Sequence, residues 1–119
     1  MEEESKEISE RLLDYGASIV KLTVKLSRTT IGRELARQLL RSGTAVGANY
    51  EEACGAESKA DFVHKLQIVP KEVKESEYWL RLIERSDIYK GNDMNELVSE
   101  THQISKIMAK SIITVKKGI

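Results

Sequence analysis

Four apolar stripes at heptad spacing run through this chain and leave little choice of architecture. The first, Ile8, Leu12, Tyr15, Ile19, Leu22 and Leu26, is spaced 4-3-4-3-4. That spacing keeps all of its members on one side of a helix, because 3.5 residues nearly complete a turn. Leu35, Leu39, Ser42, Val46, Asn49 and Ala53 form the second stripe. Phe62, Leu66, Val69, Val73, Ser76, Leu80 and Ile83 form the third, and Met94, Leu97, Thr101, Ile104, Met108 and Ile112 the fourth. One proline, one phenylalanine and few β-branched runs argue against a sheet. Short connections between long helices make sequence neighbours antiparallel. The prediction is an all-α protein, an up-down-up-down four-helix bundle, formed by one domain over residues 1–119.

Local signals place the helix ends. Ser5 reads as the first N-cap, Ser27 to Thr30 breaks the pattern, and Gly32 reads as a further break before the second stripe. Gly55 sits where a left-handed C-cap is expected. Ser58, with Asp61 three residues on, marks the third start, and Asn92 or Asp93 the fourth. Pro70 lies within the third pattern, where it removes a backbone donor and clashes with the Leu66 carbonyl. The stripe keeps phase across it, so the expectation is one bent helix and not two. Gly43 and Gly47, inside the second helix, each cost about 1 kcal/mol relative to alanine. With Ser42, Thr44, Ala45 and Ala48 they form a face without bulk, which invites close approach by a helix of this chain or of a second copy.

Charge and cysteine content narrow the function classes. The 19 basic and 19 acidic side chains cancel, which argues against a generally basic nucleic-acid-binding surface. The distribution is uneven: residues 28–50 carry four arginines against one glutamate. No apolar run approaches the roughly 20 residues of a membrane span, the acidic start has no signal-peptide character, and the cysteine is single. A cytoplasmic protein with no membrane partner is expected.

Arg33, Arg37 and Arg41 fall at i, i+4 and i+8, a basic ridge that Arg28 extends. Such a ridge can follow a phosphate backbone, each neutralised phosphate releasing counterions. The same guanidinium groups suit carboxylates on a neighbouring helix or subunit, Glu72 and Glu75 being candidates. No aromatic residues interleave this ridge. Asn49 and Glu52 are polar at or near the seam, where a buried Asn specifies register and oligomer state. Asp61-Phe62-Val63-His64 has the carboxylate-x-x-His spacing of di-iron bundles. The other histidine, His102, has Ser99 three residues before it, so no second copy of the motif exists and no metal or cofactor is expected. Cys54 reads as a packed small hydrophobe. Of Tyr78 and Trp79, adjacent in sequence, one should be core and the other outward.

The run from Arg41 to Ala53 resembles the second helix of the ribosomal-RNA intervening-sequence protein family, with Arg41, Val46, Asn49 and Glu52 matching its pattern of an Arg, small residues, an aliphatic and Asn-x-x-Glu. Ser58, Phe62, Glu75, Glu77, Trp79 and Leu80 match the motifs around its third helix, so the specific likeness covers residues 41–83. Pro70 departs from that pattern. The resemblance implies a left-handed bundle and a ring-like homo-oligomer, a pentamer being known in the family. Some members are encoded in insertions within large-subunit ribosomal RNA genes. A related bundle is the accessory protein of diversity-generating retroelements, which binds nucleic acid.

These readings converge on a protein with no catalytic centre. The leading expectation is an oligomeric accessory or adaptor protein, associated with RNA or DNA through Arg33, Arg37 and Arg41. Its competitor is a protein–protein scaffold whose arginines are consumed in subunit contacts. Gly43, Gly47, Asn49 and Glu52 are the expected structural and oligomer-specifying residues.

Overall fold

Thr29 shows how the sequence starts a helix: its backbone is extended, and its hydroxyl accepts a bond of 3.0 Å from the Gly32 N–H. In the computed structural model, which describes residues 2–118, five helical segments follow one another. They are α1 (Glu2–Leu26), α2 (Thr30–Cys54), α3 (Lys59–Leu66), α4 (Ile68–Arg85) and α5 (Asn92–Lys117). Met1 and Ile119, the ends of the expected domain, lie outside the described residues.

Several expected boundaries are corrected. Ser5 lies inside α1, which is already helical at Glu2. Gly32 is no break: it is buried in the first turn of α2, and a Cβ there would run into the Leu26 carbonyl. Gly55 caps α2 at φ −90°, in the ordinary right-handed half of backbone space, with its N–H returned to the last carbonyls. Gly91, and not Asn92 or Asp93, is the cap of α5. Ser58 does cap α3, its hydroxyl accepting from the Asp61 N–H at 3.1 Å.

The third leg is two segments. Gln67 separates α3 from α4, and Pro70 falls in the first turn of α4, where a missing N–H is tolerated. The Leu66 carbonyl thereby loses its i+4 donor, which is why the interruption falls at Gln67. Leu66 and Val69, on either side of it, are both buried, so the stripe crosses the bend in phase.

Packing follows the stripes. α1 lies on α2, α2 on α3 and α4, α4 on α5, and α5 returns to α1. Gly43 approaches Ile19 while Gly47 approaches Leu12, so α1 and α2 run in opposite senses. Lys25 pairs with Asp93 and Arg11 with Glu100, giving α1 and α5 the same relation. The helices enclose one core holding Leu12, Ile19, Leu39, Val46, Leu80, Ile83, Ile104 and Met108, with molecular extents of 47 × 21 × 20 Å.

Midway along this core each leg contributes one hydroxyl. The Tyr15 and Thr101 oxygens lie 2.7 Å apart, and the Thr101 hydroxyl also reaches the Leu97 carbonyl. The Ser76 oxygen lies 2.9 Å from both the Ser42 hydroxyl and the Glu72 carbonyl. Burial pushes the Tyr15 phenol up to about 12, so it stays protonated and remains a donor. Among the described residues no buried side-chain polar atom lacks a partner.

Candidate functional site

The glycines of the small-residue stretch of α2 make contact within the chain. A Cβ on Gly43 would stand 2.8 Å from both Ile19 Cγ atoms, closer than real Cβ contacts come. On Gly47 it would stand 3.4–3.5 Å from the Leu12 backbone, an ordinary contact. The close approach that the sequence invites is therefore made by α1. Asn49 is half-buried and donates back to the Ala45 carbonyl at 2.8 Å, within its own helix. Glu52 is exposed.

The arginine ridge separates into unlike parts. Arg41 is clamped between two carboxylates of α4: it donates to Glu72 at 3.3 Å and to Glu75 through a short ion pair. Glu75 also accepts from the Trp79 indole at 3.0 Å. That N–H first, and the Arg41 guanidinium second, hold the Glu75 carboxyl below the usual carboxylate range. Among the described residues Arg37 pairs only with Glu34, one turn away and open to water, a contact of little strength. Arg33 is exposed and in no ion pair with a described residue.

The remaining chemistry-bearing residues do not assemble. Asp61 pairs with Lys65 at 3.2 Å, His64 is exposed, and His102 contacts Glu77. Among the described residues no three His, Cys, Asp or Glu side chains are grouped to hold a metal. Cys54 is exposed at the end of α2, not packed as expected, because the core stripe passes through Tyr50 and Ala53. Desolvation raises its thiol pKa, the opposite of what a nucleophile needs. Among the described residues no helix is long and apolar enough to cross a membrane.

What the structure adds is a second apolar face on α1. Leu13, Ala17, Val20 and Val24 recur at 4-3-4 spacing on its solvent side, with Leu13 and Val24 67% and 68% exposed. Beside them Gly16, Gly47 and Ala48 leave a groove of ≈ 770 Å³ between α1 and α2. Its floor exists because these residues lack bulk: a Cβ on Gly16 would meet nothing within 4 Å. The repeat is visible in the sequence, but the stronger Ile8–Leu26 stripe accounts for the helix by itself and masks it.

The model of the 23S rRNA-intervening sequence protein family matches residues 4–110. This chain belongs to that family. The likeness seen in the central motifs thus extends over the outer helices as well. A crystal structure of a protein of unknown function from the S23 ribosomal protein family of Bacteroides thetaiotaomicron VPI-5482 is similar, with 33% identity and a TM-score of 0.84. The match covers 91% of this chain and 96% of that one. No curated protein matches the chain.

Proposed function

We propose that this member of the intervening-sequence family is a non-enzymatic adaptor that assembles with copies of itself through the α1/α2 apolar face. The observation that carries this reading is the solvent-facing row Leu13, Ala17, Val20 and Val24 above a groove floored by Gly16 and Gly47. Contiguous exposed apolar surface rimmed by polar residues marks an interaction site; here Lys6, Glu10 and Glu51 supply the rim. A second copy is the occupant we favour, and the family resemblance suggests a closed ring of five. A ring is built from head-to-tail contacts, so the groove would receive a different surface of the next copy. The double ion pair of Arg41 with Glu72 and Glu75 of its own chain weighs against phosphate binding by that residue, leaving Arg33 and Arg37 as the α2 cations open to a polyanion.

Native mass spectrometry of wild type beside Leu13→Asp and Gly16→Trp tests this. Leu13 is 67% exposed and a Cβ on Gly16 would meet nothing within 4 Å, so helicity should persist while the assembled mass falls to that of one chain. Wild type running as one chain, or variants keeping the full mass, would overturn the proposal.

A further inference from the structure

Opposite its buried stripe, α4 carries another line of side chains: Lys71, Lys74, Tyr78, Arg81 and Arg85, spaced 3-4-3-4 and all exposed. Residues three and four apart are neighbours on a helix, so these five form one row. Val69, Val73, Ser76, Leu80 and Ile83 hold the other side of α4 in the core, and the row therefore faces solvent. From Lys71 to Arg85 it extends about 21 Å at 1.5 Å per residue.

The row is free to act. None of its four cations is in an ion pair with a described residue. Of the carboxylates on α4, Glu72 and Glu75 are turned to Arg41 and Glu77 to His102, while Glu84, exposed one turn from Arg81, is in no ion pair with a described residue. At its centre, with two cations on either side, Tyr78 is 58% exposed. Trp79 meets the Tyr78 ring edge-on, with centroids 5.2 Å apart and planes at 78°. Trp79 is in turn packed against the core and bonded to Glu75. A row of lysines and arginines alone is an ordinary solvated face. An exposed ring in its middle, braced from behind, is not.

We propose that this face of α4 binds single-stranded nucleic acid, its phosphates neutralised by Lys71, Lys74, Arg81 and Arg85 and one base stacked on Tyr78. A basic track with an aromatic platform is what sequence-tolerant single-strand binding requires. In a duplex the bases are already stacked on each other, so the ring would add nothing. An acidic peptide would satisfy the cations and leave the ring without a planar partner. The row is a separate surface from the apolar face, since α1, which carries that face, packs on α2 and α5 and stands diagonally across the bundle from α4. Because a head-to-tail ring brings a second surface to the groove, assembly mass is read beside binding.

The test is fluorescence anisotropy of a labelled single-stranded oligonucleotide and of the matching duplex, titrated with the full chain across a salt series. Four proteins are compared: wild type, Tyr78→Leu, Tyr78→Phe, and a variant with Lys71, Lys74, Arg81 and Arg85 all changed to Gln. Single-strand binding should weaken with salt, and the four-Gln variant should lower the log–log slope by roughly 2 to 3, about 0.7 for each phosphate no longer neutralised. Tyr78→Leu should weaken single-strand binding roughly 5- to 150-fold, with duplex binding unchanged and Tyr78→Phe close to wild type. Absence of single-strand binding at low salt overturns the proposal, as does a Tyr78→Leu variant that binds like wild type. Loss of binding in an Arg33→Ala/Arg37→Ala variant with the α4 row intact would place the site on α2 and equally overturn it. A changed assembly mass in the four-Gln variant would make the row a subunit contact, which also defeats it.

Discussion

The two glycines of α2 look alike in sequence and differ in what surrounds them. Gly43 faces the branched carbons of Ile19, a fully buried side chain, so a methyl group there has nowhere to go without moving α1. Gly43→Ala should cost about 1–3 kcal/mol, the usual penalty for overpacking. Gly47 leaves room for a methyl at ordinary contact distance, and alanine gains up to about 1 kcal/mol in a helix interior. Gly47→Ala should therefore raise the urea midpoint where Gly43→Ala lowers it, and opposite signs in one denaturation experiment are the expected outcome. In the sequence the pair is indistinguishable, because the absence of a side chain is visible and the neighbour it makes room for is not. The same limit applies to Arg41. Its two candidate carboxylates are identifiable by charge, while its choice between them and a polyanion depends on α4 standing alongside.

At the scale of helices, legibility tracks the strength of the repeat. Every member of the first stripe except Ile8 is buried, as are most of the third and fourth, because a heptad pattern over several turns leaves one face to bury. Ends are harder. Ser5 has the chemistry of a cap yet lies within α1, and Gly55 has the freedom for a left-handed turn without using it. Among the described residues the one left-handed non-glycine, Asp87 at φ 59°, sits in the turn before α5, where nothing in the local pattern singles it out. Pro70 marks the bend, as its chemistry predicts, but the helix divides at Gln67 instead of merely curving. Pro70→Ala returns an N–H to the Leu66 carbonyl, so it should join α3 and α4. Hydrogen exchange would then slow at residues 67–71; unchanged exchange there would mean that another contact keeps the segments apart.

For the molecule as a whole, the four hydroxyls at mid-core can be set against their apolar isosteres. A variant carrying Tyr15→Phe, Ser42→Ala, Ser76→Ala and Thr101→Val removes every partner at once, so no polar atom of the set is stranded. Removing both ends of a buried hydrogen bond is close to neutral, whereas removing one end costs about 1–3 kcal/mol. The fourfold variant should melt near or above wild type, while Thr101→Val alone, which takes away the 2.7 Å partner of the Tyr15 phenol, should melt below it. Calorimetry of the two proteins checks both statements.

Those hydroxyls also resolve an ambiguity inherent in repeated stripes. A helix whose apolar residues recur every seven positions looks nearly the same to its neighbours after sliding by one repeat, about 10.5 Å. Oil-like contacts cannot tell the two placements apart. Slide α1 by that amount, and the Tyr15 oxygen is carried away from Thr101 into hydrocarbon. The phenol thus works as an index mark beside the Gly43–Ile19 contact, and the fourfold variant, though no less heat-resistant, should hold its register less tightly. Broadened or doubled amide resonances would be the sign that its helices settle at more than one height.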